Sequence, residues 1–302
     1  LGIAAFVVLT VALWRRDPGF IRRLILAIAW VAGLAALAAM VWFYAHHAFP
    51  EERAEDFGIG GYYTRAGTMY AVAAVGAWWL LDREPLTSAR RFALASCLVA
   101  MLAFVALAQA RGAMLGLALA ALTWALIMRR HGLLALGVAV VAAGMALDLA
   151  GLLGAYDLLS RGFTLRLQIW TDALARMPDA FWFGYGIAKP QTFILKHGQA
   201  IIHPYTIPHP HNVFFAHQLH GGLVGTAIFL GLIAAAARIG WRSWRQQRDL
   251  LILMLLALMI GNGLVDFGHF YSELDLGWFL FWLPIAIAAG TEIRLKPVRL
   301  DP

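Results

Sequence analysis

The chain alternates long apolar runs with short polar connections, and this alternation is its dominant pattern. A helix that crosses a bilayer needs roughly 20 mostly apolar residues, and runs near that length recur throughout the sequence. The pattern therefore predicts about nine transmembrane helices. Their predicted positions are Leu1–Trp14, Leu24–Phe43, Ala66–Leu81, Phe92–Ala110, Gly112–Met128, Gly132–Ala150, Val213–Ala237, Leu250–Phe267 and Leu276–Ile293.

One long hydrophilic piece, Gly151–Asn212, interrupts these runs. A connection of this length usually contains structure of its own. Its middle part has apolar residues at helical spacing and polar residues off that stripe, which predicts an amphipathic helix that Pro178 ends. Phe183–Gly186 predicts a turn, and an extended or helical piece then leads to a group of histidines. The predicted apolar stripe is Leu165, Ile169, Ala173, Leu174 and Met177.

The predicted fold class is an all-α, polytopic membrane protein in three parts. Residues 1–150 hold the first six transmembrane helices, 151–212 form the loop domain with its amphipathic helix, and 213–302 hold the last three helices and a C-terminal tail. The first apolar run is short and the chain does not begin with methionine, so we expect further helices upstream.

Composition supports a chain solvated by lipid. Hydrophobic residues make up 62% and charged residues 14%, against about 45–50% and about 25% in an ordinary globular domain. The net charge of +7 could indicate nucleic-acid binding, but the positions of the charges argue against it. Cys97 is the single cysteine, so an internal disulfide is excluded.

The basic residues sort by connection. Sixteen of the 24 Lys and Arg residues lie in alternate connections, which by the positive-inside rule are cytoplasmic. This orientation places Pro302 inside, and it places the long loop and the histidines outside. Most acidic residues near the spans follow the opposite bias, at Glu51, Glu52, Glu55, Asp56, Asp266, Glu273 and Asp275.

The segment "TIPHPHNVFFAHQLHGG" contains four histidines at the outer boundary of a predicted span. Asn212 is a good N-cap, which puts His211 just before a helix N-terminus. The positive end of the helix disfavours an imidazolium there, so a neutral ring that accepts a proton is one interpretation. A hydrogen bond to loop backbone is the other. His217 and His220 lie deeper and suit hydrogen bonds between helices.

Other kinds of site find little support. His209 with His211, and His217 with His220, do not have the spacing of a zinc site, and no carboxylate stands near them in sequence. The sequence has no nucleophile elbow and no Walker loop. We therefore predict neither a metal nor a cofactor.

Arg111 lies at the predicted outer tip between two apolar spans. A guanidinium near hydrocarbon needs a partner, either a lipid phosphate that the side chain snorkels to or a bound anion that suits its planar fork. Arg161, Arg166 and Arg176 add positive charge outside, with Arg176 predicted on a solvated helix face. These residues favour an anionic, lipid-linked substrate, with phosphate held by arginine and proton transfer by histidine.

Three blocks together resemble the O-antigen ligase and polymerase superfamily. They are "ARGAMLGLALA" (Ala110–Ala120), "RLQIWTDALARMPDAFWFGYG" (Arg166–Gly186) and "PHPHNVFFAHQLHGGLVG" (Pro208–Gly225), and "FGIGGYYTRAGTMYA" (Phe57–Ala71) sits where that family has an outer loop. The resemblance implies about a dozen transmembrane helices with both termini cytoplasmic. The "ARGA" block departs from members that have serine before the arginine.

The resemblance implies a metal-independent, inverting glycosyltransferase in the bacterial inner membrane. It would move O-antigen from undecaprenyl pyrophosphate to lipid A-core oligosaccharide at the periplasmic face, with membrane lipids around it and no nucleic-acid partner. By position, Arg111 and Arg166 bind pyrophosphate, with Arg161 the alternative, and His211 is the catalytic base. Further substrate contacts are expected at Arg65, Arg161, His209 and His217.

Alternative functions remain open at this point. An O-antigen polymerase or a protein O-oligosaccharyltransferase of the same superfamily would use the same donor with another acceptor. A membrane transporter is the alternative of a different class, and Asp148 and Asp266 near span ends are its best support. A transporter should carry charges at the bilayer midplane, whereas most charges here lie at the outer boundary.

Overall fold

A computed structural model describes residues 2–47, 54–56, 63–130, 132, 156–187, 191–193, 196–197, 200–201, 207, 209–266 and 278–295. Helices dominate these residues, which confirms the all-α fold class. In chain order they are α1 (Gly2–Arg16), α2 (Phe20–Tyr44), α3 (Tyr63–Arg83), α4 (Ser88–Leu107), α5 (Arg111–Ile127), α6 (Tyr156–Arg176), α7 (Val213–Gln247), α8 (Leu251–Val265) and α9 (Leu283–Arg294).

Shorter elements complete the described chain. A 3₁₀ turn, Met177–Ala180, follows α6, and a π-helical turn, Trp278–Trp282, precedes α9. Strands β1 (Lys196–His197) and β2 (Ala200–Ile201) pair antiparallel within the long hydrophilic piece. The extended alternative for the approach to the histidines is thus the one observed, although the ladder is only two residues long on each side.

The apolar runs form helices wherever the structure describes them, although the helix in Val213–Ala237 is interrupted at Gly222. The helices α2, α4 and α7 are long and apolar enough to cross a membrane, and α5 and α8 are shorter apolar helices. The predicted span at 132–150 lies outside the described residues, apart from residue 132. On α2, Val31 and Val41 are 69% and 65% exposed, as expected where lipid is the solvent. The chain is a multi-pass membrane protein.

The chain divides into two compact units. The first comprises Leu1–Ala120, Gly231–Asn262 and Phe270–Pro302, and the second comprises Ala121–Leu230 and Gly263–His269. This division follows tertiary contacts, whereas the predicted three-part division followed the order of the sequence.

Small residues bring helices of the first unit close together. A side chain at Gly261 would clash with the backbone of Gly116, so α8 and α5 approach at a point where both helices have glycine. Such contacts are typical of helix packing in membranes, because backbone proximity there replaces the hydrophobic driving force. Nearby, the fully buried Asn262 donates from Nδ2 to Oγ1 of Thr68, at 2.8 Å. This bond pairs the amide nitrogen, whereas Oδ1 of the same side chain has no hydrogen-bond partner among the described residues.

The amphipathic helix α6 anchors the second unit. Ile169 and Ala173 are buried against Phe193 and Leu219, with Met177 and four further hydrophobic side chains packed around them. The prediction of this helix is confirmed, and so is its end, since Pro178 lies in the 3₁₀ turn. Leu174, which belongs to the predicted apolar stripe, is 50% exposed. The buried face repeats at every fourth residue, and Leu174 is rotated about 100° from Ala173.

The predicted span Val213–Ala237 is not one continuous helix. Gly222 in α7 has φ 60° and ψ −161°, which no helical residue adopts, and the helix is broken there. The backbone of a turn from the long hydrophilic piece fills the break, with the amide of Leu223 donating to the carbonyl of Phe181 at 2.7 Å. The break had no signal in the apolar pattern, because Gly221 and Gly222 continue an uncharged run.

Candidate active site

His211 is held in an uncommon backbone conformation directly before α7. Its φ is 50°, in the left-handed region that few residues other than glycine adopt. Its amide donates to Nδ1 of His209 at 3.3 Å, and the carbonyl of Pro210 accepts from Nε1 of Trp170 at 3.0 Å. A residue in a sparsely populated region persists only when its surroundings hold it, and such residues cluster at functional sites. Trp170 on α6 and the ring of His209 supply that support.

Asn212 caps α7 and also ties it to the end of α8. Its Oδ1 accepts from the amides of Phe214 and Phe215, at 3.0 and 3.2 Å, which confirms the predicted N-cap. Its Nδ2 donates to the carbonyl of Leu264 at 3.1 Å. Leu264 precedes Asp266 by two residues, so this one buried side chain fixes the start of α7, where His211 lies, relative to Asp266.

Asp266 stands between a guanidinium and an imidazole. Its Oδ1 lies 3.6 Å from Nη2 of Arg166 and 3.7 Å from Nδ1 of His211. The carboxylate side chain is 9% exposed, against 21% for Arg166 and 29% for His211. The side chains of Arg166 and His211 therefore reach the surface of the site, while the carboxylate lies behind them.

The imidazole has one buried nitrogen and a more accessible opposite edge. Nδ1 of His211 is buried without a hydrogen-bond partner among the described residues. The accessible part of the ring therefore lies among its other atoms, which include Nε2. A carboxylate near Nδ1 favours the tautomer that carries a proton on Nδ1, and Nε2 is then the acceptor. This arrangement suits a general base that works through Nε2.

The charged guanidinium of Arg166 is partly buried. Burial lowers the pKa of its guanidinium, and the negative charge of Asp266 opposes that shift. The ordinary pKa of arginine lies far above neutral pH, so the group remains a cation. Among the described residues Asp266 is its ionic partner, through one Nη2 contact. A guanidinium has five N–H donors, so Arg166 can bind a phosphate and still face Asp266.

Comparison with known proteins finds a family that part of the chain resembles. A model of the O-antigen ligase family matches residues 96–230, which include both His211 and Arg166. That match covers less than half of the chain. An O-antigen ligase of Pseudomonas aeruginosa is 28% identical over 157 residues, which cover 50% of this chain and 38% of the relative. The chain thus spans well under half the length of that ligase.

The match to O-antigen ligases contains most of the residues predicted from the sequence. Arg111, Arg161, Arg166, His209, His211 and His217 lie within it, whereas Arg65 precedes it. Within the second unit, the structure brings His211, His209 and Arg166 together: the rings of His209 and His211 are 4.3 Å apart, and Arg166 shares Asp266 with His211. Arg161 lies on α6, but its side chain is not among those that the structure describes.

The remaining predicted residues have other surroundings. Arg111 is the first residue of α5 and Arg65 lies exposed in the first turn of α3, both in the first unit. His217 stacks on Phe229 with ring centroids 3.9 Å apart, and its Nδ1 is 2.8 Å from the carbonyl of Val213. A role for these three in substrate binding stays a prediction.

Two further polar residues have structural contacts. Nδ1 of His220 is 3.1 Å from the carbonyl oxygen of Gly186, so His220 bonds a loop, where a bond between helices was expected. Arg176 was predicted on a solvated face, but it pairs with Asp172, donates to the carbonyl of Thr192 at 3.0 Å and covers the ring of Phe193. Both side chains hold the long loop against the helices.

Asp266 is the site residue that sequence reasoning missed. The only signal was an acid at the end of an apolar run, and that signal favoured the transporter alternative. Asp266 is far from both Arg166 and His211 in sequence and lies outside the segment that matches the family. Only the folded chain shows that this one carboxylate lies beside both Arg166 and His211.

Proposed function

We propose that this chain belongs to the O-antigen ligase family and is a glycosyltransferase that moves O-antigen from undecaprenyl pyrophosphate to lipid A-core oligosaccharide. The transfer takes place at the periplasmic face of the bacterial inner membrane, without a metal and with inversion at the sugar C1. The observation that carries the proposal is the carboxylate of Asp266, within 3.7 Å of both His211 and Arg166. This arrangement supports a base and a phosphate-binding cation side by side.

The donor is held through its pyrophosphate. Arg166 contributes a guanidinium whose planar fork matches phosphate oxygens, and in a partly buried site such a contact is stronger than in water. Arg111 is proposed as the second pyrophosphate ligand. Negative charge grows on the pyrophosphate as the bond to the sugar breaks, so these cations stabilise the transition state more than the ground state.

The acceptor hydroxyl is activated by His211. Its proton moves to Nε2 as the hydroxyl oxygen forms a bond to the sugar C1, and the bond from C1 to the phosphate oxygen breaks. The pyrophosphate leaves with that electron pair, still attached to its polyprenol. Asp266 holds the proton on Nδ1 and stabilises the imidazolium that forms, which is the usual role of a carboxylate behind a catalytic histidine.

Transfer by purified protein in lipid nanodiscs tests the proposal directly. With a lipid-linked O-antigen donor and lipid A-core as acceptor, we expect product in the presence of EDTA, and we expect its loss in His211→Ala. His46→Ala is the matched control, because His46 is an exposed histidine at the end of α2 that bonds its own helix. Product formation by His211→Ala at the wild-type rate, or a requirement for a divalent ion, would refute this mechanism.

The identity of the acceptor is tested in cells. We expect a null strain to lose long-chain lipopolysaccharide and to accumulate full-length polymer on the lipid carrier. Capping of the core by single repeats would instead assign polymerisation to this protein. Intact lipopolysaccharide with an unmodified pilin-like protein would assign protein glycosylation.

A further inference from the structure

The break in α7 is filled by one turn of the long hydrophilic piece. On the far side of the break, the amides of Leu223 and Val224 donate to the carbonyls of Phe181 and Trp182, at 2.7 and 3.2 Å. On the near side, the carbonyl of Leu219 accepts from the amide of Tyr185 at 2.7 Å. The carbonyl of His220 accepts in the same way from the amide of Gly186, at 3.0 Å. Four backbone groups that the broken helix cannot pair are therefore all satisfied.

Two glycines make this close approach possible. Gly222, with φ 60°, lies against the backbone of Trp182 and Phe183, and a side chain there would clash with both. Gly184, with φ 68°, lies in the same way against the backbone of His220. The side chain of Gln218 adds a bond to the carbonyl of Phe181 at 3.2 Å. The turn is thus rigidly attached to α7.

The side chains of this turn point away from the helix to which its backbone is bound. Phe181, Trp182 and Phe183 are 47%, 61% and 76% exposed, and Ile187 is 66% exposed. We call these four residues the aromatic turn. Leu167 and Leu174 on α6 are also half exposed and lie seven residues apart, hence on one face of that helix. Exposed apolar side chains grouped in this way mark a surface that contacts a partner or a membrane.

The sequence of α7 indicates where the aromatic turn meets the bilayer. Residues before the break include His217, Gln218 and His220, whereas Gly221–Ala237 contains no charged residue. That run is about 25 Å long at 1.5 Å per residue, slightly less than the roughly 30 Å hydrocarbon core of a bilayer. The break therefore lies at one edge of the apolar stretch, at the depth where tryptophan and other aromatic side chains concentrate.

We propose that the aromatic turn is a lipid anchor, inserted into the interfacial region of the bilayer leaflet on the side of the candidate active site. Its partner is the boundary between headgroups and acyl chains. Because α6 runs directly into the turn through Met177–Ala180, insertion fixes the depth of α6, and with it Arg166, relative to lipid phosphates. The anchor does not depend on the proposed transferase activity.

Depth measurements by spin labelling test the anchor. In a Cys97→Ala background, which removes the single cysteine, Phe183→Cys carries a nitroxide in phosphatidylcholine nanodiscs. We expect the label to collide more with oxygen, which partitions into lipid, than with a water-soluble nickel chelate. Thr192→Cys is the matched control, since Thr192 is exposed on the same hydrophilic piece, and there we expect the opposite ratio.

Two results would overturn the anchor. One is a label at 183 that prefers the nickel chelate, as at 192, which would place the turn in water. The other is a label reached by neither reagent, which would mean that protein covers the turn. Ile187→Cys repeats the measurement at a second exposed position if the substitution at 183 prevents folding.

Discussion

Oδ1 of Asp266 lies 3.7 Å from Nδ1 of His211, and this pair links the end of α8 to the residue before α7. The distance is longer than a hydrogen bond, and Nδ1 is otherwise unpartnered among the described residues. Catalytic hydrogen bonds are often long without substrate and shorten in the reacting complex. This geometry supports the proposed roles of Asp266 as the orienting acid and His211 as the base.

Asp266→Asn is expected to lower turnover strongly while the protein still folds. An asparagine can donate to Nδ1 of His211 and so favour the tautomer in which Nε2 carries the proton and cannot accept one. Loss of a general base lowers rates by roughly 10²–10⁴-fold. The measurement is steady-state transfer, with thermal unfolding recorded in parallel. Asp179→Asn, at an exposed carboxyl in the 3₁₀ turn, should behave like the wild type. Equal rates for both variants would remove Asp266 from the mechanism.

Arg166→Lys is expected to raise KM for the lipid-linked donor even though the charge is kept. Lysine lacks the planar fork that binds two phosphate oxygens at once, and a hydrogen bond to a charged group contributes about 1.5–3 kcal/mol. The corresponding loss in kcat/KM is roughly 10–150-fold. Arg176→Lys on the same helix is the control, since its contacts are with Asp172, Thr192 and Phe193. That variant should lose stability with donor KM unchanged, and the reverse pattern would contradict the assignment.

Asn212 has two functions that substitution can separate. Asn212→Ser keeps a hydroxyl acceptor for the helix cap but is too short to reach the carbonyl of Leu264. Asn212→Ala removes both bonds, and loss of a cap alone costs about 0.5–2 kcal/mol. We therefore expect the serine variant to retain more stability than the alanine variant, while both lose activity because the tether to the Asp266 segment is gone. Full activity in the serine variant would show that the tether does not position His211.

Gly222→Ala is expected to destabilise the protein. A residue other than glycine at φ 60° and ψ −161° is strained by about 1–3 kcal/mol, and the new side chain would also clash with Trp182 and Phe183. Gly221→Ala is the neighbouring control, because nothing lies within 4 Å of a side chain there. Thermal unfolding in nanodiscs should separate the two variants. Equal midpoints would mean that the break in α7 tolerates a side chain.

Features that depend on a single helix or turn could be predicted from the sequence. The spacing of apolar residues located the helices, Pro178 located the end of α6, and Asn212 was identified as a cap, because each depends on neighbours within a few residues. His211 was identified as a candidate base for the same reason. The part of the apolar stripe that α6 buries was not predicted, since Leu174 is exposed while Ala173 is fully buried.

The amino-acid sequence alone determined that this chain is a helical membrane protein with a histidine at a helix start and arginines suited to an anion. Hydropathy and capping act over one or two helical turns, so they can be read along the chain. Tertiary structure alone decided that Asp266 joins Arg166 to His211, and that the backbone of the aromatic turn fills the break at Gly222. Both depend on residues far apart in sequence that meet only when the helices pack, and no local pattern encodes such a meeting.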